Sequence, residues 1–270
     1  MKLVSKACLV FMVGLLSFAI PYYSLFAAIS YDSTSQYSTN SVGTATWSHT
    51  VSGTDTILFV YGFARPFQTP PTSVEYNGVA LTLLESVDKA YFNDTSYLYY
   101  LVNPDTGTHD IEVNLSSSNY QGWVAVSYNG ADQSAPTSSG IDPGANPYNP
   151  FSIAGTSDEA NQFLVAGFAS DDGDCTPGTG VNERQSNNPF TIADMQVSGS
   201  YSMYFSICGN RNSAIAWALF SEASGGSGPG PETGTTTEPM QAETFASILY
   251  VISTATFVYF VVFLVRRLTR

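Results

Sequence analysis

QGWVAVSYNG, residues 121–130, is the stretch that decides the fold. Alternate side chains of an extended chain point to opposite faces, so Trp123, Ala125 and Ser127 share one face and Val124, Val126 and Tyr128 share the other. Both faces are largely apolar. A strand with one solvated face would show polar residues at every second position. This segment is therefore expected at the centre of a packed β-sandwich. Asn129 and Gly130 close it with residues suited to a turn.

Outward from it, residues 54–65, 79–87, 95–102, 107–115, 161–170, 199–208 and 213–222 show the same richness in aromatic and β-branched residues, each bounded by turn formers. Weaker segments at 29–31, 45–51, 73–76 and 151–154 bring the expected total to about a dozen strands. No amphipathic helical pattern interrupts them, so the fold class is all-β. Asn77-Gly78, between Tyr76 and Val79, is a two-residue hairpin signal, because both positions need positive φ and these residues tolerate it. Residues 103–107, Asn-Pro-Asp-Thr-Gly, form another turn. LFVYGFAR (58–65) is echoed by LVAGFAS (164–170), and GWVAVSYNGAD (122–132) by AIAWALFSEAS (214–224). Two similar Greek-key halves would build a jelly roll. Coincidence among apolar strands is the other explanation of the echo.

Composition narrows the function classes. The chain has 270 residues, 44% hydrophobic and 14% aromatic, which is enough to fill a core; charged residues are only 11%, which excludes a coiled coil or a charged disordered tail. All 22 acidic residues lie between 29 and 244 against four bases there, Arg65, Lys89, Arg184 and Arg211, a balance of −18. Nucleic acid is excluded as a partner of that stretch.

The ends carry targeting signals. Lys2 and Lys6 precede the apolar run Leu9 to Ile20, then Pro21 and the small pair Ala27-Ala28, so residues 1–28 read as a signal peptide. Leu25 or Phe26 at the −3 position departs from the ideal cleavage site, and an uncleaved anchor is the alternative. Residues 29–223 are the expected extracellular β-sandwich, and 224–244 a Gly/Pro/Thr-rich linker. Phe245 to Val265 is free of charge and at 1.5 Å per residue matches a hydrocarbon core of ~30 Å. It is expected to span a membrane, with a buried core helix as the alternative. Arg266, Arg267 and Arg270 follow, so residues 266–270 form a cytoplasmic tail and the head lies outside.

The order SVEYNGVALTLLES (73–86), SYLYYLVNPDTGTHDIEVNLS (96–116) and GWVAVSYNGADQSAP (122–136) resembles the jelly-roll β-sandwich domains of uncharacterised secreted and cell-surface bacterial proteins. The resemblance extends over most of residues 29–223. Its motifs are turns and core strands, so it implies a fold and no activity.

Catalytic chemistry is sparse. A nucleophilic serine needs a histidine base, and the chain offers only His49 and His109, with no G-x-S-x-G elbow. Glu75, Glu85, Glu112, Glu159, Glu183 and Glu222 are scattered and lack the pairing glycoside hydrolysis requires. The chain is read as a non-enzyme without a cofactor. Asp171, Asp172 and Asp174, around Gly173, offer hard oxygen ligands for Ca²⁺, with a solvated acidic turn as the alternative, and Asp158 and Glu159 are weaker contributors. With the signal peptide removed, Cys175 and Cys208 remain, an even count outside the cytoplasm that suggests a disulfide. Asn93-Asp94-Thr95 and Asn114-Leu115-Ser116 match the glycosylation sequon, as chance would also allow. The 17 tyrosines suit sugar stacking as well as strand packing.

The reading that gathers these features is a membrane-anchored cell-surface protein with a non-catalytic adhesion or recognition role, meeting a surface glycan or protein ligand. One alternative is a carbohydrate-binding module, with or without Ca²⁺. Another is a structural envelope or filament component.

Overall fold

The computed structural model describes residues 28–39, 43–65, 70–89, 94–116, 120–142, 151–159, 161–169, 177–187, 190–205 and 214–223. All of them fall within the unit Met1–Gly226. Apart from Ala28, the expected signal peptide, linker, span and tail lie outside the described residues.

The described residues form sixteen strands and no helix. In the first half, β1 (Ser30–Thr39), β3 (Ile57–Arg65), β6 (Thr82–Lys89), β7 (Asp94–Val102) and β9 (Tyr120–Asn129) make an antiparallel sheet in the spatial order β1-β9-β3-β7-β6. Beneath it β2 (Ala45–Val51), β4 (Ser73–Tyr76), β5 (Val79–Ala80) and β8 (Gly107–Asn114) make a second sheet, β2-β8-β4-β5. The second half repeats the plan. Its large sheet runs β10-β16-β12-β14-β13, from β10 (Ser138–Asp142), β12 (Gln162–Ala169), β13 (Asn182–Asn187), β14 (Phe190–Val197) and β16 (Ala214–Phe220). Its small sheet pairs β11 (Phe151–Thr156) with β15 (Ser200–Phe205).

Writing β10, β11, β12, β13, β14, β15 and β16 for β1, β2, β3, β6, β7, β8 and β9 turns one strand order into the other. The β4–β5 hairpin alone lacks a full counterpart. Its place beside β15 is taken by a single bridge between Pro177 and Phe205.

Alternation along the central strands sorts the core into three layers. On β3, Ile57, Phe59, Tyr61 and Phe63 point one way and Leu58, Val60 and Ala64 the other. The second set packs with Trp47, Val74, Tyr76, Ile111 and Trp123 between the two sheets of the first half. The first set meets Phe163, Val165, Ile192, Ala216, Ala218 and Phe220 of the other large sheet. Leu164, Ala166 and Phe168 of β12 turn away from that seam, toward Ile153, Met203 and Phe205 of the small sheet. The order of layers is small sheet, large sheet, large sheet, small sheet. β9 is central as expected, with Val124, Val126 and Tyr128 in the seam and Trp123 and Ala125 in the first-half core.

The seam is largely reciprocal. β1 meets β13, β9 meets β14, β3 meets β12, β7 meets β16 and β6 meets β10. Under the strand equivalence these five contacts map onto one another, with β3–β12 mapping onto itself, whereas β6 also meets β16 and β7 also meets β12 without an equally extensive counterpart. The pattern approximates an isologous, two-fold interface inside one chain. At its middle, Tyr61 and Gly167 hold equivalent places, since Tyr61 pairs with Val124 and Gly167 with Ala216, the matching residues of β9 and β16. A Cβ on Gly167 would lie 2.1 Å from Cγ of Tyr61, so the ring rests on the bare backbone.

The all-β, sandwich-like architecture agrees with the sequence reading, but the number of layers differs. The expectation was one sandwich completed by two halves, whereas each half has its own pair of sheets. The echo paired the correct strands, β3 with β12 and β9 with β16. Its glycines stand one residue out of register, because Gly167 is equivalent to Tyr61 and not to Gly62. Asn77 and Gly78 adopt φ of 50° and 75°, as the hairpin reading required.

Candidate functional site

The described residues bring Ser, His and Asp side chains together at one place, where β1 and β9 of the large sheet pass over β2 of the small one. His49 is buried on β2. Its Nδ1 lies 2.8 Å from Ser35 Oγ, and its Nε2 lies 3.2 Å from Ser127 Oγ and 3.4 Å from Ser33 Oγ. Ser127 Oγ donates to Asp32 Oδ2 at 2.7 Å, and Ser33 Oγ donates to the carbonyl of Thr50. Trp47 Nε1 donates to Ser35 Oγ at 3.0 Å. Asp32 also accepts from the backbone N–H of Ser52 at 2.9 Å and from the Ser52 hydroxyl.

These partners fix the histidine's tautomer. Ser127 and Ser33 have both committed their hydrogens elsewhere, so Nε2 carries the proton and donates to them. Ser35 accepts from Trp47, which leaves its own hydrogen for Nδ1. The chain of donors runs one way, Trp47 to Ser35 to His49 to Ser127 to Asp32. Burial pushes the His49 pKa down from 6.5 to about 4, against the opposing pull of the Asp32 charge.

Nucleophilic catalysis needs a different order. The acid must hold the histidine so that the histidine can take the serine's proton. Here the acid holds the serine, the histidine donates to it, and Ser127 is completely buried. The arrangement ties two sheets together. His109, directly opposite His49 in the β2–β8 ladder, has its Nε2 3.1 Å from the carbonyl of Thr106. Both imidazoles stand edge-on to the Tyr76 ring, which donates to the Gly107 carbonyl at 3.1 Å.

A second buried polar cluster crosses the seam. Asp194, on β14, has no exposed surface and accepts from Tyr128 Oη at 2.7 Å, from Arg184 Nε at 2.5 Å and Nη2 at 3.0 Å, and from Asn182 Nδ2 at 3.1 Å. The Arg184 guanidinium lies 4.4 Å from the ring centre of Tyr31 on β1. Burial, and then the Asp194 charge, drives the Tyr128 phenol well above its ordinary pKa. A carboxylate with this many donors is satisfied within the protein and holds the two large sheets in register.

The residues singled out for binding fare unevenly. Asp171, Asp172, Asp174, Cys175 and Cys208 lie outside the described residues, as does Asn93. Asp158 and Glu159 are exposed beyond β11. Among the described residues no three His, Cys, Asp or Glu side chains gather as a metal centre. The amide of Asn114 is fully engaged, donating to Ser73 Oγ and Glu112 Oε1 and accepting from Thr44 Oγ1. The exposed large apolar side chains among the described residues are Tyr31, Val79, Leu83, Ile141 and Tyr204, on five different strands.

The networks of Asp32 and Asp194 escaped the sequence reading because their members are far apart in the chain and carry no spacing signal. The comparisons with protein-family models, with curated proteins and with solved structures return no match to this chain.

Proposed function

We propose that this chain is a cell-surface display protein, exported by residues 1–28, anchored by Phe245 to Val265, and acting by adhesion or recognition rather than catalysis. The observation that carries this reading is where the reactive side chains are used. His49, Ser127 and Asp32 are locked in one inter-sheet chain, and Asp194, Arg184 and Tyr128 in another, so both clusters stabilise the head and neither faces a substrate. The dispersed exposed apolar residues favour this over a sugar-binding aromatic strip and over a filament subunit with a broad apolar face.

The jelly-roll reading is kept for the first half, whose strand order the second half repeats without the β4–β5 hairpin. In the first half the chain alternates between the sheets β1-β9-β3-β7 and β2-β8-β4-β5, with β6 added at an edge, which supports two Greek keys wound as a jelly roll. The reciprocal seam makes the pair one rigid, acidic head on a Gly/Pro/Thr stalk, suited to many weak contacts acting together.

Protease added to intact cells carrying the full chain tests the reading. The head is expected to be cut or shed, and a chain ending at residue 244 is expected in the medium. A head untouched on intact cells but digested after lysis overturns it.

A further inference from the structure

We propose that the one-way hydrogen-bond chain through His49 is an acid-sensitive latch that holds the N-terminal strand β1 on the head. β1 is an edge strand, paired only with β9, and its ladder is interrupted by a bulge between Tyr31 and Ser33, where Asp32 sits. Asp32, Ser33 and Ser35 supply three of the side chains that close around His49 and the end of β2.

Neutral His49 is the only form the chain of donors accepts. A proton added at Nδ1 would point at the hydrogen of Ser35, whose oxygen already receives Trp47 Nε1–H. Ser35 would then hold two incoming donors and no acceptor for its own hydrogen within the cluster. Turning Ser35 away removes the link between β1 and His49, and leaves an imidazolium buried between the sheets.

The surrounding charges do not rescue it. From β1, Asp32 and Tyr37 face this layer, and Asp32 is separated from His49 by Ser127. From β4 comes the neutral Tyr76, on which Asp105 acts from the neighbouring turn. From β8 comes His109, a second base of the same sign when protonated. The facing side of β9, Trp123, Ala125 and Ser127, offers no titratable group. Release of β1 lets His49 regain water and its ordinary basicity, so protons favour the open form. The lowered pKa agrees with the geometry.

The sign follows from linkage. Below pH 6.5 the opened histidine binds a proton that the closed one refuses, so opening is favoured progressively as pH falls toward 4. Above 6.5 the latch is fully closed. This inference stands independently of the display function.

Hydrogen exchange on the purified head, corrected for intrinsic rates, reads it directly. Between pH 7.5 and 5.0 the protection of β1 amides is expected to fall by roughly tenfold per pH unit below 6.5 and to stay well below that of β3, which opens only with the whole head. In His49→Gln that pH dependence is expected to disappear. Protection of β1 that stays level with β3 through the range, or an unchanged pH dependence in His49→Gln, overturns the latch. Should His49→Gln not fold, NMR of the native imidazole decides instead. The Nε2–H tautomer with a depressed pKa supports the latch, and the Nδ1–H tautomer or an ordinary pKa overturns it.

Discussion

Asp194 is the residue on which the seam depends most, because it is a completely buried carboxylate whose donors come from β9 and β13. Removing it in Asp194→Ala strands the Arg184 guanidinium and the Tyr128 hydroxyl. A loss of about 3–5 kcal/mol is expected, measured by urea unfolding. Tyr128→Phe removes one hydrogen bond to a charge and is expected to lose roughly 1.5–3 kcal/mol. His49 makes global stability depend on pH in a defined direction. Its folded pKa lies below the unfolded value, so the stabilisation is complete above pH 6.5 and declines as pH falls toward 4. The full loss is about 3 kcal/mol, to be read as a falling urea midpoint between those limits and compared with His49→Gln. At this scale the sequence was least informative. Ser127 could be assigned to a face of β9, but nothing in the chain linked it to residues 32 and 49, because those contacts exist only after two sheets have stacked.

At the scale of strands and turns, local chemistry was a better guide. The Asn77-Gly78 hairpin and the apolar alternation of β9 are properties of neighbouring residues, and both appear as read. Gly78→Ala forces an L-residue into φ of 75°, so a loss of about 1–2 kcal/mol is expected, with the hairpin's exchange protection falling first. β10, β13 and β14 were not anticipated. β10 and β13 are edge strands rich in polar residues, and in β14 a charged residue, Asp194, breaks the apolar pattern at a buried position. Where β3 crosses β12, Gly167→Ala places a methyl against the Tyr61 ring and is expected to lose roughly 1–3 kcal/mol by overpacking. In a Tyr61→Ala background the same substitution should be far milder. Additive losses in that double-mutant cycle would show that the two residues do not couple.

For the whole molecule, composition and pattern established an all-β head, and the echo pointed to repetition. The number of sandwiches was not legible, because an apolar strand face reads the same whether a partner sheet of its own half or of the other half covers it. The shared seam core predicts one cooperative unfolding transition for both halves. Calorimetry should give equal calorimetric and van't Hoff enthalpies, and two separated transitions would mean that the halves are energetically independent.

The tyrosine resting on glycine at the centre of the seam also has a kinetic side. Two similar modules on one string find each other at an effective concentration on the order of millimolar, however scarce the molecule is. Free modules of half the length would have to meet by diffusion. Once the middle position differs between them, neither module is a good mate for its own twin, since one tyrosine set against another has no bare backbone to lie on. Like modules are therefore poor mates for one another, and a first half is matched to a second half.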